Sequence, residues 1–112
     1  MFFQKKGSRD ITPEGLQKKM DQGQDLFLLD VRTPGEYAHG AIAGAHLLPV
    51  QELSIRVQEL PRDKEIVVYC RVGNRSAFAA SHLARLGYNV KNLEGGIMAW
   101  NDAHAGMLAA VS

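Results

Sequence analysis

The heptapeptide Cys-Arg-Val-Gly-Asn-Arg-Ser at residues 70–76, called here the Cys70 loop, has residue types suited to binding an anion. It follows an apolar run and leads directly into a helical pattern. A loop that opens a helix directs unpaired backbone N–H groups and partial positive charge toward one space, where an anion fits. Gly73 permits backbone conformations that a residue with a Cβ resists, and Asn74 tolerates them too. Arg71 and Arg75 add two positive charges.

The thiol of Cys70 is the group on which this environment acts. Helix N-termini and neighbouring arginines can lower the pKa of a cysteine to roughly 3.5–7.5, and the thiolate is the nucleophilic form. No histidine lies near Cys70 in the sequence, but an acidic thiol does not require an adjacent base. The chain has no second cysteine, so an internal disulfide is excluded. A small buried hydrophobic residue is the alternative interpretation of Cys70, and the basic, glycine-containing loop favours a reactive one.

The elements around this loop predict an α/β fold. Two nearly continuous apolar runs, 26–31 and 66–70, are typical of strands buried on both faces of a parallel sheet. Weaker strand candidates occupy residues 9–11, 45–48 and 90–93. Helical patterns lie between them: one begins at Thr12-Pro13 and runs to about Gln22, and a second has apolar residues at 50, 53, 57 and 60. A third has apolar residues at 79, 83 and 86, and a short fourth follows Gly95-Gly96 and reaches Trp100. This alternation predicts a mostly parallel sheet.

The predicted strands place two polar residues at one edge of this sheet. Asp30 closes the first strong strand and Cys70 closes the second. In open α/β sheets, ligands bind beyond the carboxyl ends of the strands. This position makes Cys70 a candidate before any relative is considered.

Composition limits the remaining possibilities. The chain has 112 residues, which predicts one domain with a core at about 9–103 and loosely attached ends at 1–8 and 106–112. Its net charge of +1 gives no global electrostatic signal for nucleic acid or membrane. The sequence has no basic stripe of the kind that would predict nucleic-acid binding. It also has no apolar run that approaches the roughly 20 residues of a membrane helix. The four histidines are scattered, so we expect no metal site. Without a secretory signal, the predicted location is the cytoplasm.

Four segments, in the right order over about residues 11–102, resemble the signatures of rhodanese-like sulfurtransferases. The first is Leu28-Leu29-Asp30-Val31-Arg32 followed by Glu36-Tyr37, and the second is Gly-Ala-Ile-Ala-Gly-Ala at 40–45 with Pro49. The third is the Cys70 loop, and the fourth is Leu-Glu-Gly-Gly at 93–96 with Trp100. One departure is Ala41, where the family often has histidine.

The resemblance implies a rhodanese-like fold, a five-stranded, mostly parallel sheet with helices on both faces, in a stand-alone domain. It implies a sulfurtransferase without a cofactor, in which Cys70 carries sulfur as a persulfide. The donor would be thiosulfate or a persulfide, and the acceptor cyanide, a small thiol or a protein. The expected binding residues are Arg71, Val72, Gly73, Asn74, Arg75 and Ser76. The expected supporting residues are Asp30, Arg32 and Glu94. For Asp30 and Arg32, pairing with each other or with the loop backbone is favoured over a catalytic role.

Two other functions stay open at this point. Phosphatases and arsenate reductases of the same fold also surround an anion with a cysteine and an arginine, but five residues separate the two. Four residues separate Cys70 from Arg75, and a smaller ring suits a single sulfur atom. The second alternative is a binding or regulatory domain, or a persulfide carrier that serves a protein partner.

Overall fold

A computed structural model describes the backbone of residues 9–111 and the side chains of residues 9–105. The strands are β1 (Asp10–Ile11), β2 (Leu26–Asp30), β3 (His46–Leu47), β4 (Glu65–Tyr69) and β5 (Val90–Leu93). The helices are α1 (Pro13–Asp21), α2 (Pro34–His39), α3 (Leu53–Arg56), α4 (Asn74–Arg85) and α5 (Gly96–Val111). The loose ends predicted at 1–8 and 106–112 lie outside the described residues, apart from the backbone of 106–111, and stay a prediction.

The five strands form one sheet in the order β1-β5-β4-β2-β3, and every neighbouring pair is parallel. Side chains on β2 and β4 alternate between two hydrophobic cores, because successive residues of a strand point to opposite faces of the sheet. On β4, Ile66 and Val68 pack with Leu83 of α4, whereas Val67 packs with Ile97 of α5 on the other face. This two-sided burial explains the continuous apolar runs and confirms the predicted α/β fold with helices on both faces.

Two helices begin with the same threonine-proline signal. Thr12 caps α1, with its Oγ1 accepting a hydrogen bond from Gly15 N–H at 3.0 Å. Thr33 caps α2 in a reciprocal arrangement, in which its Oγ1 accepts from Glu36 N–H and the Glu36 carboxylate accepts from Thr33 N–H. Such a box satisfies two N–H groups that the helix leaves unpaired. Helix α2 was not predicted from the sequence, although Thr33-Pro34 followed by Glu36 is typical of a helix start.

Three predicted boundaries were wrong. The segment with apolar residues at 50, 53, 57 and 60 is a short α-helix flanked by 3₁₀ turns at Val50–Glu52 and Val57–Glu59. Its outer spacings of three residues suit a 3₁₀ turn, where positions i and i+3 share a face. The last helix continues beyond Trp100 to Val111, through an alanine-rich sequence that favours helix. Strand β4 ends at Tyr69, so Cys70 follows the strand instead of closing it.

No helix among the described residues is long and apolar enough to cross a membrane. Within the same part of the chain, His, Cys, Asp and Glu side chains form no group that could hold a metal ion.

Candidate active site

The Cys70 loop begins at the carboxyl edge of the sheet, where its position was predicted. Asp30, the last residue of β2, pairs in register with Tyr69, the last residue of β4. Cys70 is the next residue, and α4 begins at Asn74. Gly73 makes the turn with a φ of +109°, a left-handed conformation that favours glycine. The chain therefore reverses from strand to helix within four residues and directs the first turn of α4 at the thiol.

Three hydrogen-bond donors surround the sulfur of Cys70. Gly73 N–H donates to Sγ at 3.1 Å, Ser76 N–H at 3.4 Å and the Ser76 hydroxyl at 3.3 Å. Ser76 is itself fully buried, so its hydroxyl is fixed beside the sulfur. Side-chain and backbone donors thus meet at one atom, which is the arrangement that a negative charge on sulfur needs.

The electrostatics at Cys70 are a balance between burial and hydrogen bonding. Cys70 exposes 1% of its surface, and this desolvation raises the pKa of the thiol. The hydroxyl and N–H of Ser76, with the N–H groups of Gly73 and Val72, lower that pKa by a larger amount together. The net result is a pKa below the ordinary cysteine value, so the loop favours the thiolate.

Arg75 is held by a residue whose contact the sequence analysis did not predict. The Arg75 guanidinium makes a bidentate ion pair with Glu36 of α2, at Nη1–Oε1 3.0 Å and Nη2–Oε2 3.1 Å. The ion pair, with the Thr33 N–H bond, lowers the pKa of Glu36 to about 2. Arg75 therefore stays charged, as expected from the sequence, but its charge is paired with the Glu36 carboxylate. The glutamate was visible in the first signature, but nothing in the sequence paired it with Arg75.

Of the two arginines in the Cys70 loop, Arg71 is the more exposed to solvent. It is exposed, and no ion pair of Arg71 occurs within the described part of the chain. Its side chain lines an open cleft of about 560 Å³ between α2 and α5. The other lining residues are Arg32, Gly35, Glu36, His39, Gly40, Ala41, Ile97, Met98 and Asn101. The cleft thus has the positive charge of Arg71 on its wall.

Asp30 and Arg32 form a buried ion pair, and Arg32 lines the same cleft as Arg71. The Arg32 guanidinium donates to both Asp30 carboxylate oxygens, with Nε–Oδ1 at 2.9 Å and Nη2–Oδ2 at 2.7 Å. It also donates to the carbonyl of Gly40 at 2.8 Å and lies 5.6 Å from the centre of the Tyr69 ring. The hydrogen bonds that Arg32 donates to the Asp30 carboxylate raise the pKa of Arg32, which stays charged. Their pairing with each other is what the sequence analysis favoured.

The remaining predicted residues differ in how close they lie to the sulfur. Val72 is half-exposed and Asn74 is exposed at the start of α4. Glu94 is exposed and lines a different cleft with Thr12, Glu14 and Asp102. The structure therefore brings Gly73 and Ser76 to the sulfur of Cys70, and it places Glu94 at a different cleft.

Comparison with known proteins agrees with this architecture. The family model described as a rhodanese-like domain matches residues 12–103. A sulfurtransferase of Allochromatium vinosum is 44% identical over 92 residues, covering 81% of this chain and 86% of that protein. A putative sulfurtransferase of Bacillus subtilis is 35% identical, covering 82% and 89%. The crystal structure of a rhodanese-related protein from Thermoplasma volcanium superposes with a TM-score of 0.80 at 38% identity, covering 85% and 92%. The chain therefore belongs to the rhodanese-like family, as its four signatures and its five-stranded parallel sheet indicate.

Proposed function

We propose that this chain is a sulfurtransferase that moves a sulfane sulfur from thiosulfate, or from a persulfide donor, to a thiol or cyanide through a persulfide on Cys70. The observation that carries the proposal is the convergence of Gly73 N–H, Ser76 N–H and the Ser76 hydroxyl on the Cys70 sulfur. The sulfurtransferase relatives support the reaction class, and the choice of donor and acceptor rests on the charge at the site.

The reaction has two displacement steps. The Cys70 thiolate attacks the outer sulfur of thiosulfate, a sulfur–sulfur bond forms, and sulfite leaves with the electron pair of the bond that breaks. Cyanide or an acceptor thiolate then attacks the outer sulfur of the persulfide, and Cys70 leaves as thiolate. Both steps follow thiol–disulfide exchange, in which thiolate fraction and leaving-group quality set the rate. No cofactor enters either step.

The loop donors have the same task in both steps. The persulfide anion carries its charge on the outer sulfur, and preorganised N–H groups stabilise such a charge without rearranging. The N–H groups of Gly73 and Ser76 and the hydroxyl of Ser76, which now donate to Sγ, would stabilise the outer sulfur in the same way. The four-residue separation between Cys70 and Arg75 gives a small ring that suits one sulfur atom better than a tetrahedral phosphate. This size is the reason to prefer sulfur transfer to phosphate hydrolysis.

The two loop arginines have different proposed roles. Arg71 is exposed and lines the cleft, so we assign it the attraction of an anionic donor. Arg75 is paired with Glu36, so we assign it the alignment of α4 against α2. Asp30 and Arg32 hold the wall of the cleft, and Glu94 has only the predicted supporting role. A protein acceptor, the absence of nucleic-acid and membrane partners, and a cytoplasmic location remain predictions.

The test is thiocyanate formation from thiosulfate and cyanide by the wild-type chain and by Cys70→Ser. We expect turnover in the wild type and none in the variant, with an unchanged circular dichroism spectrum. Full activity of Cys70→Ser would overturn the proposal. Hydrolysis of an aryl phosphate that depends on Cys70 would instead favour the phosphatase alternative.

A second pair of variants tests the assignment of Arg71. Arg71→Ala is expected to raise KM for thiosulfate by about twofold to fivefold, since an exposed ion pair contributes up to about 1 kcal/mol. Arg71→Lys keeps the charge and serves as the control. An equal KM in all three proteins would refute the role of Arg71 in donor binding.

A further inference from the structure

The first turn of α5 binds the backbone of the Cys70 loop directly. Ile97 N–H donates to the carbonyl of Cys70 at 2.9 Å, and Met98 N–H donates to the carbonyl of Arg71 at 3.1 Å. A helix leaves the N–H groups of its first turn without partners inside the helix. Two of these groups are satisfied here by two consecutive peptide units of the loop, so α5 determines where those two carbonyls point.

The direction of a carbonyl determines the direction of the next N–H. In a trans peptide unit the C=O and N–H bonds point to opposite sides, and the described residues contain no cis peptide bond. With its carbonyl held by α5, the Arg71 peptide unit turns the N–H of Val72 away from that helix. Although burial raises the pKa of Cys70, this Val72 N–H is among the groups that lower it, together with those of Ser76 and Gly73. The contact with α5 and the stabilisation of the thiolate are therefore parts of one rigid arrangement.

Gly96 is the residue that permits this close approach. Its φ is +64°, in the left-handed region. A Cβ added at Gly96 would lie 2.6 Å from the carbonyl oxygen of Cys70, and closer still to the carbonyl oxygen of Arg71. Both neighbours are backbone atoms, which cannot move aside as the end of a long side chain can. Any side chain at residue 96 would push apart the two peptide units that α5 holds.

We propose that Gly96 is a positioning residue, which lets α5 approach the Cys70 loop closely enough to turn the Val72 amide toward the sulfur. The inference deepens the proposed function and rests on it for the role of the thiolate in sulfur transfer. It extends the site from the loop to the start of the last described helix, which contributes backbone donors and no reacting side chain.

The first experiment measures how the rate of Cys70 alkylation by iodoacetamide depends on pH. Gly96→Ala is expected to raise the pKa of Cys70 and slow alkylation about tenfold near neutral pH, the loss expected for one hydrogen bond to a charged sulfur. Gly23→Ala is the matched control, because Gly23 has a φ of +74° and nothing within 4 Å of an added Cβ. The control introduces the same kind of backbone strain far from the loop and is expected to keep the wild-type pKa.

The second experiment removes a single donor without adding a Cβ against the loop. Met98→Pro replaces the N–H that binds the Arg71 carbonyl by the proline Cδ, so this contact with the loop is lost, whereas the helix itself has no partner for an N–H of its first turn. Met98→Ala removes the half-exposed side chain and keeps the N–H. We expect a raised Cys70 pKa in Met98→Pro and the wild-type pKa in Met98→Ala. This pair decides the matter if Gly96→Ala fails to fold.

An unchanged alkylation profile in a folded Gly96→Ala or Met98→Pro variant would overturn the inference. So would equal shifts in the variants and their controls, because these would point to a general loss of stability. Alkylation needs no sulfur donor, so the result is independent of the proposed function. Failure of sulfur transfer in the wild type, with the expected pKa shifts, would refute the function and leave the positioning role of Gly96 intact.

Discussion

The hydroxyl of Ser76 offers the most direct way to measure how strongly the loop stabilises the thiolate. Ser76→Ala removes the donor at 3.3 Å from Sγ and leaves the Ser76 N–H at 3.4 Å in place. A hydrogen bond to a charged group contributes about 1.5–3 kcal/mol, and the long distance to sulfur places this one at the lower end. Because one pKa unit corresponds to about 1.4 kcal/mol, we expect the pKa of Cys70 to rise by about one unit.

The assay is the pH dependence of iodoacetamide alkylation, followed by intact mass. Ser76→Ala should react about tenfold more slowly than the wild type below both pKa values, and at the same limiting rate above them. Ser81→Ala, a half-buried serine on the same helix, is the control. If the pKa of Cys70 in Ser76→Ala equalled that of the wild type, the argument from converging donors would be refuted.

Two further predictions concern the ion pairs that frame the site. The pKa of Glu36 is lowered from 4.5 to about 2, so its stabilisation is present above about pH 4.5 and lost as pH falls toward 2. Urea denaturation should therefore find Glu36→Gln less stable than the wild type at pH 7, with a gap that closes between those pH values; a gap independent of pH would contradict the ion pair with Arg75. Asp30→Ala should lower the free energy of unfolding by about 3–5 kcal/mol because it leaves Arg32 buried without its partner. The matched control is the exposed ion pair of Arg56 with Glu52, at Nη1–Oε1 2.9 Å. Glu52→Ala should lower the free energy of unfolding by less than about 1 kcal/mol, and equal losses in the two variants would contradict the role assigned to burial.

The sequence predicted the fold well because its signals are local. The apolar runs at 26–31 and 66–70 report burial on both faces of the sheet, and the position of Cys70 follows from the end of β4. Periodicity alone misjudged residues 50–60, where two spacings of three residues give 3₁₀ turns on either side of α3. Tertiary packing decides such a segment more than propensity does.

Contacts within the Cys70 loop could be expected from the sequence, whereas contacts between this loop and distant segments could not. Cys70, Gly73 and Ser76 are close in sequence, so the loop that joins them could be recognised. The ion pair of Arg75 with Glu36 joins residues 39 positions apart, and no spacing rule connects them. The same is true of Gly96, whose contact with the loop exists only after β5 has brought α5 beside it.

We propose that Cys70, although 1% exposed, reacts as a thiolate and holds one additional sulfur atom. Intact mass spectrometry after incubation with thiosulfate detects that sulfur atom on the chain itself. We predict a gain equal to the mass of one sulfur atom per chain, absent in Cys70→Ser and lost on adding cyanide. If a folded chain gained no mass with thiosulfate or with a small persulfide donor, Cys70 would not be a sulfur carrier.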